Sequence, residues 1–153
     1  MAIVSLREMP EDGVLLGLDP GSKTIGLAAS DPLRLIATPV ETLRRGKRLG
    51  PVLDRLFEIC ERRDVVGLVV GMPLNMDGSS GPRAQSARAL ARNILERRDM
   101  ALAFQDERLS TSQAERAMLE ADLSRARRAE SIDASAAAVI LQTALDRLAN
   151  LSG

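Results

Sequence analysis

Apolar residues follow two different periods along this chain, and the changes of period mark its elements. "VLLGLD" (14–19) is a short apolar run closed by Pro-Gly-Ser, which predicts a first strand. "TIGLAASD" (24–31) resumes after that turn, and "RLIATPV" (34–40) follows Asp31-Pro32. Three strands joined by two short connections predict antiparallel hairpins. The next stretch, "ETLRRGKRLG", is polar and basic and reads as a loop.

Helical spacing then takes over. In "PVLDRLFEICERRD", Leu53, Leu56, Phe57 and Cys60 recur at i, i+3, i+4 and i+7, with Pro51 in the first turn. "VVGLVVGMP" (65–73) is continuously apolar and β-branched, as a strand covered on both faces should be. Pro82 opens a second helix with Ala87, Leu90, Ala91 and Ile94 on one face, and "MALAFQ" (100–105) gives a fifth strand. Ser110 and Gln113 fit a capping box for a third helix. The polar stretch "EADLSRARRAES" precedes a final helix from about Ser131, whose inner face carries Ala134, Ala137, Ala138, Leu141, Leu145 and Leu148.

The order β-β-β-α-β-α-β-α-α predicts an α/β fold: a mixed five-stranded sheet with helices on both faces. It resembles the ribonuclease H-like fold. No linker or internal repeat divides the chain, so one domain is expected over 1–153, with its core at about 13–149.

Composition narrows the chemistry. Lys+Arg and Asp+Glu both number 21, so no overall positive field draws the chain onto nucleic acid, and any such contact needs a local basic patch. Histidine is absent, which removes Ser-His-Asp and Cys-His catalysis and His-ligated zinc together. Trp and Tyr are absent and Phe numbers 2, which argues against base stacking on aromatic rings. The single Cys60 cannot form an internal disulfide and suits a reducing compartment. With neither a signal-peptide core nor an apolar run of about 20 residues, the expected location is cytoplasmic, with no membrane contact. Carboxylates and a hard cation are the remaining tools.

Three acidic positions fall where the expected topology could gather them: Asp19 at the end of strand one, Asp106 and Glu107 after the last strand, and Asp133 in the first turn of the final helix. Such a cluster suits Mg2+ or Mn2+, and two ions about 4 Å apart can activate water and steady a leaving oxygen. Each acid also has a plainer use: Asp19 as a turn residue, Asp133 favouring a helix start, Asp106 or Glu107 solvating a loop. The segment "NMDGSSGPRAQSARALARN", with Asn75 and several small polar residues before a helix start, could offer backbone N–H groups to a phosphate. Arg83, Arg88 and Arg92 follow on that helix; Arg44, Arg45, Lys47 and Arg48 form one basic cluster, and Arg125, Arg127 and Arg128 another. Charge runs of this kind are more often solvated loops than binding sites.

"GLDPGSKTIGLAASD", "VVGMPLNMDGSSGPRA", "DERLST" and "IDASAAAVILQ", in that order, resemble the YqgF family, also called RuvX, over roughly residues 13–149. The resemblance implies a ribonuclease H-like nuclease related to Holliday junction resolvases that processes the 5′ end of pre-16S rRNA. It implies metal-binding roles for Asp19, Glu107 and Asp133, with Asp106 as a further candidate. Lys23, Asn75, Arg83 and Arg108 are candidates for steadying the substrate phosphates. Resolvase relatives end the strand after the first crossover helix on a catalytic Glu, whereas here it ends "GMPLN". Structured RNA is therefore expected ahead of branched DNA. A junction resolvase acting as a homodimer and a non-catalytic RNA-binding assembly factor are the alternatives, and a monomer is equally compatible with RNA processing. An actin-like ATPase, suggested by "DPGSKTIG", would need two such domains.

Overall fold

The computed structural model describes residues 3–21, 23–73, 81–106 and 125–152. Its strands are β1 (Val14–Pro20), β2 (Thr24–Ser30), β3 (Ala37–Arg44), β4 (Val65–Met72) and β5 (Ala101–Asp106). Its helices are α1 (Gly50–Arg62), α2 (Pro82–Arg97) and α3 (Arg125–Ser152). The strands form one sheet in the order β3-β2-β1-β4-β5. β1–β2 and β2–β3 pair antiparallel, while β1–β4 and β4–β5 pair parallel. This is the expected mixed sheet, since hairpin connections force the first half antiparallel and helical crossovers make the second half parallel.

Alternation along the strands sorts the core into two layers. Leu16, Leu18, Leu68, Val70 and Leu102 face α1 and α2, whose apolar stripes supply Leu53, Leu56, Leu90 and Ile94. Leu15, Val69, Ala101 and Ala103 face the other way, toward Ala137, Ile140, Leu141 and Ala144 of α3. Burying each large side chain contributes roughly 1.5–3 kcal/mol, so both layers are needed to hold the sheet flat between them. β5 forms one edge, which the N-terminal segment covers through a parallel bridge of Ile3 to Leu102 and a Val4 N–H donated to the Leu102 carbonyl at 2.8 Å.

Two expected boundaries move. The third strand, expected at 34–40, lies at Ala37–Arg44, so the first four residues of the expected loop are strand. It is an edge strand, where polar side chains on both faces and Pro39 are tolerated; a register irregularity falls between Leu27 and Ala28, where Ala28 meets Pro39. The final helix begins at Arg125 and not at Ser131. Its first turns are rich in Arg, Ala and Glu, which favour helix without any apolar stripe to announce it. The third helix expected near Ser110 lies outside the described residues.

Candidate active site at the carboxyl end of the sheet

Asp19 is the next-to-last residue of β1 and is 8% exposed. It sits on the α3 face of the sheet, because Leu15 and Gly17 share its parity and face that helix. Its register partner on β2 is Gly26. On the other side Leu18 pairs with Val70, so Asp19 adjoins Gly71 of β4. A carboxylate at the end of a buried strand thus has glycine as its neighbour on both flanking strands.

Gly17 brings α3 against this strand. A Cβ there would lie 2.8 Å from Leu141 Cβ and 3.1 Å from the Ala137 carbonyl oxygen. Further along the helix, Gln142 accepts the Ala37 N–H at 2.9 Å and donates to the Leu35 carbonyl at 3.2 Å, at the far end of the hairpin sheet. The helix therefore runs antiparallel to β1. Asp133 lies one turn before Ala137, so its backbone continues toward the Asp19 end of the strand.

Asp106 ends β5 in register with Met72. Along β5, Leu102 and Phe104 pack on the α1/α2 side, while Gln105 accepts a bond from Arg147 of α3 at 3.0 Å. Alternation puts Asp106 on the face opposite Asp19. The structure thus brings Asp19 and the helix bearing Asp133 together and sets Asp106 apart from them. Glu107, Asn75, Arg108 and the side chain of Asp133 lie outside the described residues. Among the described residues no cluster of three candidate ligands occurs.

Lys23 is exposed in the β1–β2 turn, and its carbonyl accepts the Arg45 N–H at 2.8 Å. Arg83, with Pro20, Gly21, Pro82 and Ser86, walls a cavity of about 210 Å³ beside the turn that follows Asp19. A larger groove, of about 470 Å³, opens between β3 and α1, with Arg44, Lys47, Arg48 and Arg55 among its walls. Arg55 is committed elsewhere: it holds Glu41 through bonds of 2.6 and 2.9 Å, and that bond keeps the Glu41 carboxyl below its usual pKa.

One polar residue of this region escaped the sequence reading. Gln105 is fully buried and links Arg147 to the Asp106 carbonyl. A glutamine inside an otherwise apolar strand was the available signal.

Asp19 offers carboxylate oxygens, the donor type that a hard divalent cation takes, and the sequence holds no histidine to make an imidazole site.

Residues 13–147 match the family model for RuvX, described as Holliday junction resolvase. The chain belongs to the RuvX family. A protein of Rhodobacter capsulatus named "Putative pre-16S rRNA nuclease" is 58% identical over 94% of this chain and 89% of its own length. A protein of the same name from Ruegeria pomeroyi is 56% identical over 94% of this chain and 92% of its own. Among solved structures, Thermus thermophilus RuvC in complex with a Holliday junction substrate superposes with a TM-score of 0.59 at 19% identity, covering 89% of this chain and 96% of that one. The likeness supports the ribonuclease H-like α/β fold expected from the element order.

Proposed function

We propose that this RuvX protein is a single-domain, divalent-metal-dependent nuclease that hydrolyses phosphodiester bonds in the 5′ region of pre-16S rRNA. The observation that carries this reading is Asp19, sunk between two glycines at the carboxyl end of β1, with the helix bearing Asp133 approaching along the same strand. The names of the relatives support RNA as the substrate. Asp19, Glu107 and Asp133 would hold Mg2+ or Mn2+, two ions in the fullest form. A bound divalent ion supplies Lewis-acid stabilisation and a nucleophilic water at neutral pH.

The chain's own groups do the rest. Strand β1 fixes the backbone of Asp19, so its carboxylate is carried at a set place at the end of the sheet. Lys23 and Arg83 flank the turn after Asp19 and draw the substrate backbone toward it. Arg108 and the Asn75 loop are the further phosphate contacts in this reading. Asp106, on the opposite face, supports the end of β5 and stays out of the ligand set.

The deciding experiment is Mg2+- and Mn2+-dependent cleavage of a labelled pre-16S leader, with Asp19→Asn beside the wild type. Loss of cleavage with an unchanged melting temperature is expected; full activity in the variant removes Asp19 from the chemistry. The family's description favours branched DNA as a second reading, so a four-way junction belongs in the same assay. Junction cleavage without RNA cleavage would replace the first reading with the second. RNA binding without any cleavage would leave an assembly factor.

A further inference from the structure

The groove between β3 and α1 is walled by cations whose charge no nearby acid offsets. Elsewhere on this side of the molecule arginines and carboxylates are matched: Arg55 holds Glu41 and Glu58, Arg62 holds Glu58, Arg97 holds Asp54 and Arg98 holds Glu61. Those four carboxylates are already committed. Lys47 and Arg48, in the wall of the groove, are exposed and have no ion-pair partner among the described residues. α1 starts beside them with Leu49 as its cap and no acid in its first turn, so the positive end of the helix adds to their field.

Strand register connects this groove to the candidate site. Asp19 pairs with Gly26, and Gly26 pairs with Thr42, so one row of the sheet runs from the site to β3. Arg44 follows two residues after Thr42, on the same face by alternation, and it lines the groove. β3 lies two strand spacings from β1, about 10 Å, which is the rise of about three nucleotides along a helical strand. A nucleic-acid strand engaged at Asp19 therefore meets Arg44, and then Lys47 and Arg48, within a few nucleotides. Exposed cations of this kind follow the backbone of any sequence, because phosphates carry charge and no base identity.

We propose that the groove between β3 and α1 is a track for the RNA substrate, taking phosphodiesters a few nucleotides away from the one presented to Asp19. Lys47 and Arg48 are its phosphate contacts, and Arg44 bridges it to the face that carries Asp19. This rests on the nuclease reading and gives these residues a positioning role, with no part in the chemistry.

The test measures binding of a fluorescent pre-16S leader RNA without divalent ions, at salt from about 50 to about 200 mM. The double variant Lys47→Ala/Arg48→Ala should flatten the slope of log K against log salt by about 1.4–1.8, the loss of two phosphate contacts at about 0.7–0.9 each. At about 0.1 M salt, one decade below 1 M, that slope corresponds to about 25–60-fold weaker binding. Both side chains are exposed, so the variant should melt with the wild type.

Arg63, exposed at the other end of α1 and about 20 Å along it, is the control. Arg63→Ala should keep the wild-type slope, whereas Lys47→Ala alone should lose about 0.7–0.9. Equal losses in these two single variants would overturn the track, because binding would then follow diffuse charge. Wild-type slope and affinity in the double variant, or a wild-type protein that does not bind the leader, would overturn it as well. Cleavage with Mg2+ reads the nuclease separately. A wild type that binds through the groove and cuts nothing would keep the track and remove the nuclease reading; one that cuts, beside a double variant that binds normally, would do the reverse.

Discussion

Replacing Gly17 with alanine adds one methyl group where β1 meets α3. The added Cβ would stand 2.8 Å from Leu141 Cβ and 3.1 Å from the Ala137 carbonyl oxygen, both rooted in the helix backbone. Neither can rotate away, so the helix itself must lift. Overpacking of this kind costs about 1–3 kcal/mol. Restricting the unfolded chain by Gly→Ala returns about 0.4–1 kcal/mol. The net expectation is a destabilisation of about 1–2 kcal/mol, because the overpacking is the larger effect. For a chain of this length that lowers the melting temperature by about 2–8 °C. Thermal melts and urea titrations of wild type and Gly17→Ala measure it directly. The same lift moves the Asp133 end of the helix relative to Asp19, so leader cleavage should fall by more than the loss of folded protein at the assay temperature. A variant that melts at or above the wild-type temperature would refute the close approach of helix and strand from which the site is built.

Asp106→Asn should retain more than about a tenth of wild-type cleavage, the mild end of losses outside a metal's direct ligands, while Asp19→Asn falls below detection; equal losses in parallel single-turnover assays would contradict the assignment of the two residues to opposite faces. Cys60 is buried, and desolvation pushes its thiol up from 9.0 to about 11. The folded state therefore holds this proton more tightly than the unfolded chain. The stability it confers is complete below about pH 9 and is lost as pH rises toward about 11. Native protein should react slowly with a thiol reagent near pH 8 and fast in denaturant; rapid native labelling would show that the α1/α2 layer opens readily.

Some elements were plainer in the sequence than others. β1, α1 and β4 announce themselves through apolar runs and stripes, because burial on one or both faces dictates their residues. β3 hides half its length, since only Leu43 of this edge strand is fully buried and Glu41, Thr42 and Arg44 interrupt any apolar alternation. The start of α3 is equally silent, as Arg125–Glu130 favour helix through propensity alone. Asp19 was legible as a charge that ends a buried strand. The parity of "MALAFQDE" also carries the separation of Gln105 from Asp106, because Leu102 and Phe104 alternate with Ala101 and Ala103. Arg45 was legible only as one of four cations within five residues, since its approach to Ser86, more than forty positions away, is set by the fold.

The last helix has a consequence for how the protein comes into being. Leu15 and Ala28 lie in a core whose other half is Ala137, Ile140, Leu141 and Ala144. The first hairpin leaves the ribosome with that face bare, and its cover is made more than a hundred residues later. At bacterial-to-eukaryotic elongation rates, roughly 6–25 s separate Gly17 from Leu141. During that interval the hairpin is an apolar surface open to chaperones, and Asp19 has no helix beside it. The face of the sheet that carries Asp19 is therefore closed only once α3 has been made.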